Sequence, residues 1–123
     1  MRVLAVDDDP YFVELIYLLL RTAGHEPVKA LGGRKEVELA SAANPHLVLL
    51  DLMMPEVDGF EVLRRLKGDS GTKGIPVIVL TARTSAGLRD EAISLGAAAY
   101  VTKPYQRNEL LEKISEVAPV STH

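Results

Sequence analysis

The chain has 123 residues, enough for one domain, and its 14 Lys and Arg against 17 Asp and Glu leave a net charge of −3. That balance gives no general attraction to nucleic acid or to anionic membranes, which favour basic surfaces. The absence of cysteine excludes disulfides and thiolate metal sites. The longest apolar stretch, Leu15–Leu20 with one tyrosine, is far shorter than the ~20 residues of a membrane span. We expect a cytoplasmic domain that contacts neither nucleic acid nor membrane directly.

Five short apolar runs alternate with longer amphipathic segments along the chain. Several runs are continuously hydrophobic, which is typical of strands buried on both faces of a parallel sheet. The predicted strands are Val3–Val6, Pro27–Leu31, Leu47–Leu50, Pro76–Leu80 and Ala98–Thr102, and three of the predicted helices are Arg34–Ala43, Ser85–Leu95 and Arg107–Ala118. Five alternations of strand and helix predict a doubly wound α/β sheet with right-handed crossovers.

The first helix has ends that can be predicted from residue types. Asp9 is a favourable N-cap, Pro10 suits the first helical turn, and Gly24 is a typical stop. We expect its buried face to hold four residues at helical spacing, Phe12, Ile16, Leu19 and Ala23.

Polar side chains follow four of the predicted strands. In an open parallel sheet, ligands bind outside the carboxyl ends of the strands. The first strand is followed by Asp7-Asp8-Asp9, the third by Asp51, the fourth by Thr81 and the fifth by Lys103. One aspartate is enough to cap a helix, so capping by Asp9 leaves Asp7 and Asp8 unexplained.

Asp7, Asp8 and Asp51 would crowd three carboxylates at one sheet edge. Like charges at short range cannot all remain ionised without a cation. Mg²⁺ favours such oxygen ligands, together with waters and a phosphate oxygen. The pattern therefore predicts a magnesium site.

Asp51 has two interpretations, a loop acid or a nucleophile that accepts a phosphoryl group. Phosphoryl transfer depends on positioning and on neutralising charge at the phosphoryl oxygens. A metal on one side and Lys103 on the other would supply that charge, with the Thr81 hydroxyl donating to a third oxygen. Taken singly, Thr81 and Lys103 are ordinary strand-end and surface residues. Their joint placement favours phosphoryl chemistry.

A phosphatase of the haloacid dehalogenase kind is the main alternative. Such enzymes also use a strand-end Asp, a Thr or Ser, and a Lys, and Asp7-x-Asp9 loosely matches their opening motif. They need a further acidic pair after the lysine, however, and no Asp follows Lys103.

The combined motifs resemble the receiver domain of two-component response regulators, in particular the chemotaxis-regulator type. The resemblance covers Arg2 to about Val117, with spacings of 30 residues from Asp51 to Thr81 and 22 from Thr81 to Lys103. It implies a flavodoxin-like (βα)5 fold with strand order 2-1-3-4-5, a receiver domain over residues 1–118 and a flexible tail over 119–123. The motifs that carry it are Asp7-Asp8, Leu50–Gly59, Leu80–Ala82 and Tyr100–Tyr105.

The resemblance also implies roles around the third strand. Asp51 would be the phosphoacceptor. Asp8 would bind Mg²⁺ directly, and Asp7 would assist largely through water. Asp51 and the backbone carbonyl of Met53 would complete the protein ligands, and Pro55 with Gly59 would shape the following loop.

Further implied roles concern the last two strands. Thr81 would bond the phosphoryl group, and Lys103 would pair with that group and with Asp51. The Lys103–Pro104 peptide would be cis. On phosphorylation, Thr81 would move inward and the ring of Tyr100 would follow, which would remodel the surface formed by the fourth helix, fifth strand and fifth helix.

The resemblance implies partners as well. The phosphoryl donor would be a histidine kinase or a histidine phosphotransfer protein, and the output would be a downstream protein or an effector domain outside this chain. Ala97–Ala99 stands where winged-helix regulators usually carry acids that bridge a dimer, so we expect at most a weak homodimer. The chain would not be an enzyme acting on other molecules, although it would catalyse its own phosphorylation and dephosphorylation. A docking scaffold with an idle site is the alternative.

Overall fold

Five parallel strands form the central sheet of the computed structural model, which describes residues 1–30, 36–54, 57–82 and 86–118. The strands are β1 Arg2–Val6, β2 Glu26–Ala30, β3 Leu47–Leu50, β4 Val77–Thr81 and β5 Ala99–Thr102. Their order is β2-β1-β3-β4-β5, and every neighbouring pair is parallel. The doubly wound sheet and the strand order 2-1-3-4-5 are therefore confirmed.

In the part of the chain that the structure describes, five helices connect and follow these strands. They are α1 Pro10–Thr22, α2 Glu36–Ala43, α3 Gly59–Gly68, α4 Ala86–Ser94 and α5 Arg107–Val117. A short antiparallel hairpin, Met53–Met54 with Val57–Asp58, was not predicted and precedes α3. Pro55, the predicted helix starts at Arg34 and Ser85, the predicted strand end at Leu31 and the tail 119–123 lie outside the described residues.

Alternate side chains of the strands supply two hydrophobic cores, one on each face of the sheet. Along β1, Val3 and Ala5 join the core under α1 and α5, while Leu4 and Val6 join the core under α2, α3 and α4. Both faces are covered by helices, so the strands have no solvent face to fill with polar residues. This arrangement explains the continuous apolar runs and leaves the strand ends as the place for polar side chains.

The ends of α1 are as predicted, but its buried face is not. The Asp9 side chain accepts a hydrogen bond from the Tyr11 N–H at 3.0 Å, and Gly24 follows the helix with a φ of 88°. The fully buried residues are Val13, Ile16 and Leu20, whereas Phe12, Leu19 and Ala23 are only half-buried. The inward face is thus turned by about one residue from the predicted one. The helix packs against β1 and β2, while Phe12 lines the cleft at the carboxyl ends of the strands.

Among the described helices, none combines the length and the hydrophobicity needed to cross a bilayer. The three alanines before Tyr100 differ in burial, since Ala98 is exposed and Ala99 is half-buried. Ala97 is buried in the core, and its N–H donates to the carbonyl of Ala92 in α4.

Candidate phosphoryl-acceptor site

Backbone hydrogen bonds continue the pairing of the strands for one residue beyond the ends of three of them. The N–H groups of Asp7, Asp51 and Lys103 donate to carbonyls of the neighbouring strands β2, β1 and β4 at 3.1, 3.0 and 2.7 Å. The sheet therefore fixes the Cα positions of these residues, and their side chains start from rigid backbone. Thr81 is the last residue of β4 and is fully buried.

Asp7, Asp8 and Asp51 form a cluster of carboxylates. One oxygen from each lies within 4.8 Å of the other two, close enough for the three to hold one metal ion. Asp7 and Asp51 are 4% and 5% exposed, while Asp8 is half-buried. Burial, and then the charge of Asp7, raise the pKa of the Asp8 carboxyl above its usual range. The cluster is electrostatically unfavourable by itself, and a divalent cation would relieve the repulsion.

Lys103 supplies a positive charge to this cluster. Its Nζ donates to Asp7 Oδ2 at 2.6 Å and to Asp51 Oδ2 at 3.5 Å, and all three side chains are at least nine-tenths buried. The Lys103–Pro104 peptide is cis. The pairing with Asp51 was expected, but the shorter contact is to Asp7. A buried ammonium with three donors can pair with both carboxylates and offset the cost of burying their charges.

Phe12 is a site residue that the sequence reasoning assigned to the core. Its ring lines the same cleft as the aspartates, and the Lys103 Nζ is 4.1 Å from the ring centre. The signal that could have placed it there is its position four residues after Asp8, in the first turn of α1. Helical periodicity alone could not separate a cleft-facing ring from a core-facing one.

Tyr100 and Thr81 lie on the same face of the sheet. In the register of β4 with β5, Tyr100 is opposite Val79 and Thr102 is opposite Thr81. Residues two apart on a strand share a face, so Tyr100 and Thr81 are diagonal neighbours across the two strands. Tyr100 is half-buried against the core under α2, α3 and α4. The position suits a coupled movement of the two side chains.

The segment after Asp51 runs close to the start of α3. A Cβ atom at Gly59 would lie 2.4 Å from the Cα of Leu52 and 2.8 Å from its carbonyl oxygen. Met53, whose carbonyl is an expected metal ligand, pairs with Asp58 across the hairpin, and Asp58 caps α3 by accepting from the Phe60 N–H at 3.0 Å. Gly59 is therefore required by the close approach of two backbone segments.

The response regulator receiver domain model matches residues 3–115. The chain is 40% identical over 113 residues to the DNA-binding dual master transcriptional regulator RpaA of Synechocystis, covering 92% of this chain and 47% of that protein. It is 36% identical over 116 residues to protein PilH of Pseudomonas aeruginosa, covering 94% of this chain and 96% of that one. The chain spans about half the length of the first curated relatives that it matches.

Solved structures are similar over the same range. The chemotaxis protein CheY4 of Vibrio cholerae has a TM-score of 0.88 at 31% identity, covering 94% of this chain and 97% of that one. The receiver domain of the sensor histidine kinase PA1611 of Pseudomonas aeruginosa, with a magnesium ion in its active-site cleft, has a TM-score of 0.87 at 26% identity over 97% of this chain and 98% of that one. Together with the five-stranded fold and the acidic cluster at its edge, these similarities show that the chain belongs to the response regulator receiver domain family of two-component systems.

Proposed function

We propose that the chain is a phosphorylation-dependent switch that accepts a phosphoryl group on Asp51 from a histidine kinase or a histidine phosphotransfer protein. The observation that carries the proposal is the buried ammonium of Lys103 between Asp7 and Asp51, beside the third carboxylate of Asp8. An acidic cluster with its own cation at the carboxyl edge of a parallel sheet suits a phosphoryl group and a divalent metal.

The reaction needs little chemistry from the protein beyond placement and charge. A carboxylate oxygen of Asp51 attacks the phosphorus, the P–N bond of phosphohistidine or the P–O bond of an acyl phosphate breaks, and the leaving group departs. Lys103 neutralises charge on one phosphoryl oxygen, and the Thr81 hydroxyl donates to another. Asp7, Asp8, Asp51 and the Met53 carbonyl would hold Mg²⁺, which supplies further charge neutralisation at the phosphoryl oxygens.

The output follows from two side chains on one face of the sheet. A phosphoryl group on Asp51 draws the Thr81 hydroxyl toward it and opens space that the ring of Tyr100 then enters. The diagonal placement of the two residues on β4 and β5 supports this coupling. The surface formed by α4, β5 and α5 would change shape as a result.

The partners are inferred from the family and from the reaction. The donor is a histidine kinase or a phosphotransfer protein, and the signal is passed on to a downstream protein or an effector domain.

Residues 1–118 act as the receiver, in the cytoplasm, where ATP is available to the kinase. The chain acts on no other substrate and catalyses only its own phosphorylation and dephosphorylation. A homodimer, if formed, is weak, because the run Ala97–Ala99 has no charged side chain that could bridge two copies.

Incubation with acetyl phosphate and Mg²⁺ tests the proposed function. We expect intact-protein mass spectrometry to show one phosphoryl adduct on the wild type, and no adduct on Asp51→Asn or in the presence of a chelator. The substitution keeps the shape of the side chain and removes the nucleophilic carboxylate.

Asp58→Asn is a matched control, since Asp58 is an exposed aspartate that caps α3 and Asn is also a good N-cap. It should accept the phosphoryl group like the wild type. A wild type without adduct, with donor and metal verified, would overturn the switch and favour a docking scaffold. Repeated turnover of a small phosphate ester would favour the phosphatase.

Mg²⁺ binding has a separate readout in thermal stability. We expect Mg²⁺ at about 100 times its Kd to stabilise the wild type by about 2.7 kcal/mol, because only the folded chain presents the assembled carboxylates. Asp8→Asn should stabilise the metal-free protein by about 0.5–2 kcal/mol, since it removes one of three repelling charges. The same variant should lose most of the Mg²⁺-dependent shift, measured by calorimetry. Equal shifts in both proteins would contradict the assignment of Asp8.

A further inference from the structure

The ring of Phe12 contacts the ammonium of Lys103, and the proposed reaction assigns no role to this contact. The ammonium lies 4.1 Å from the ring centre, and the Lys103 side chain is only 7% exposed. A cation over an aromatic face is attracted by the negative face of the ring, and the attraction is stronger where water is excluded. The contact therefore has the geometry and the environment of a significant cation–π interaction.

The other contacts of Lys103 involve groups that change partners during phosphorylation. Its Nζ is bonded to Asp7 and, more weakly, to Asp51. In the proposed function Asp51 forms a bond to phosphorus, and Asp7 contributes to the binding of a divalent cation. The Phe12 ring takes part in neither event, so its contact with the ammonium can persist through the reaction.

We propose that Phe12 is a positioning residue for Lys103, whose ring holds the ammonium beside Asp51 while the two carboxylates change partners. The inference rests on the proposed function, because Lys103 matters for transfer only if Asp51 accepts a phosphoryl group. As the Asp51 oxygen–phosphorus bond forms and the bond to the leaving group breaks, the retained ammonium neutralises charge on a phosphoryl oxygen. Loss of the ring would allow Lys103 to leave this position.

Packing alone is the alternative explanation for Phe12. An aliphatic side chain would fill much of the same space without attracting a cation. A fluorinated ring keeps the shape of phenylalanine but withdraws electron density from the ring face, so it weakens the cation–π attraction. The two explanations therefore differ in what fluorination does.

The experiment measures the rate of adduct formation with acetyl phosphate at saturating Mg²⁺. We expect Phe12→Leu to lower the rate by about threefold to thirtyfold, the range that corresponds to a cation–π contact of this kind. Phe12→Tyr should keep the rate within about twofold of the wild type, because its ring also attracts a cation. Site-specific 3,4,5-trifluorophenylalanine at position 12 should give an intermediate rate.

Two controls address other effects of these changes. The chain has only two phenylalanines, and the same fluorinated residue at Phe60, which packs against the core from α3, should leave the rate unchanged. Tyr17 lies on α1, as Phe12 does, and its ring centre is 4.4 Å from the Nζ of Lys29 on β2. Tyr17→Leu removes this ring and should also leave the rate unchanged. The first control excludes a general effect of fluorine on the rate, and the second excludes a general effect of losing an aromatic ring from α1.

NMR of the Lys103 side chain gives a readout that is independent of activity. The ring current of Phe12 should shift the Hε and Cε signals of Lys103 in the wild type and in Phe12→Tyr, and Phe12→Leu should lose that shift. Equal rates for wild type, Phe12→Leu and the fluorinated protein would overturn the proposal, as would a slow Phe12→Leu beside a fluorinated protein as fast as the wild type. Absence of the adduct from the wild type would instead refute the proposed function, with the NMR shift still reporting the contact.

Discussion

Lys103→Met is expected to cause the largest loss of function short of replacing Asp51 itself. Removal of the buried ammonium should slow adduct formation from acetyl phosphate by about 10²–10³-fold, the usual effect of losing one preorganised group that stabilises transition-state charge. Methionine is unbranched and of similar length, so it fills the space of the lysine chain. The rate is measured by intact mass against time at saturating Mg²⁺.

The same substitution should destabilise the metal-free protein. Asp7 and Asp51 would then be buried carboxylates without the cation that bridges them at 2.6 and 3.5 Å. Leaving one side of a buried ion pair uncompensated costs about 3–5 kcal/mol, measured by urea unfolding. Mg²⁺ should recover part of the loss, because it supplies positive charge to the same carboxylates.

Lys29→Met is the matched control for Lys103. Lys29 pairs with Glu14 at the surface, and its side chain is 40% exposed. Exposed pairs contribute about 0–1 kcal/mol, so this variant should unfold almost like the wild type and accept the phosphoryl group at the same rate. Equal stability and equal rate for Lys103→Met and Lys29→Met would contradict the role given to Lys103.

Gly59→Ala is expected to be the most disruptive small substitution outside the carboxylate cluster. The added Cβ would lie 2.4 Å from the Cα of Leu52, which is backbone and cannot rotate away. Relief of such overpacking requires a backbone shift, and we expect a loss of about 3 kcal/mol in the free energy of unfolding. Because Leu52 lies between Asp51 and Met53, Mg²⁺ binding should weaken as well, measured by the Mg²⁺-dependent shift in melting temperature.

Gly68→Ala provides the control at the other end of the same helix. A Cβ at Gly68 meets nothing within 4 Å, and the residue is exposed. Alanine favours helix over glycine by about 0.5–1 kcal/mol, so this variant should be as stable as the wild type or slightly more so. If Gly59→Ala behaved like Gly68→Ala, the close approach of α3 to Leu52 would not constrain the site.

Much of the site could be predicted because a parallel sheet places all its carboxyl ends at one edge. Once Leu47–Leu50 and Val77–Thr81 are recognised as buried strands, Asp51 and Thr81 must lie near the end of the first strand with its aspartates. The chemical types of these residues then favour a cation and a phosphoryl group as the ligands. Local sequence was also sufficient for the ends of α1, since Asp9 and Gly24 act on their immediate neighbours.

Other features depended on distances that residue types do not encode. Periodicity indicated that α1 is amphipathic, but the packing of the helix over the sheet decided that Val13 and Leu20 face the core and that Phe12 faces the cleft. The hairpin Met53–Met54 with Val57–Asp58 is too short to leave a hydrophobic pattern, so it was not predicted.

The sequence by itself determined the fold, the strand order implied by its family resemblance, and the set of charged groups at the sheet edge. Only the tertiary structure decided how those groups pair. Lys103 lies nearer to Asp7, 96 positions away in the chain, than to Asp51, and its ammonium also contacts the ring of Phe12. Such contacts depend on how β1, β5 and α1 pack together at the scale of an ångström. Hydrophobic patterns place these elements only to within a residue or two, so they cannot predict the contacts.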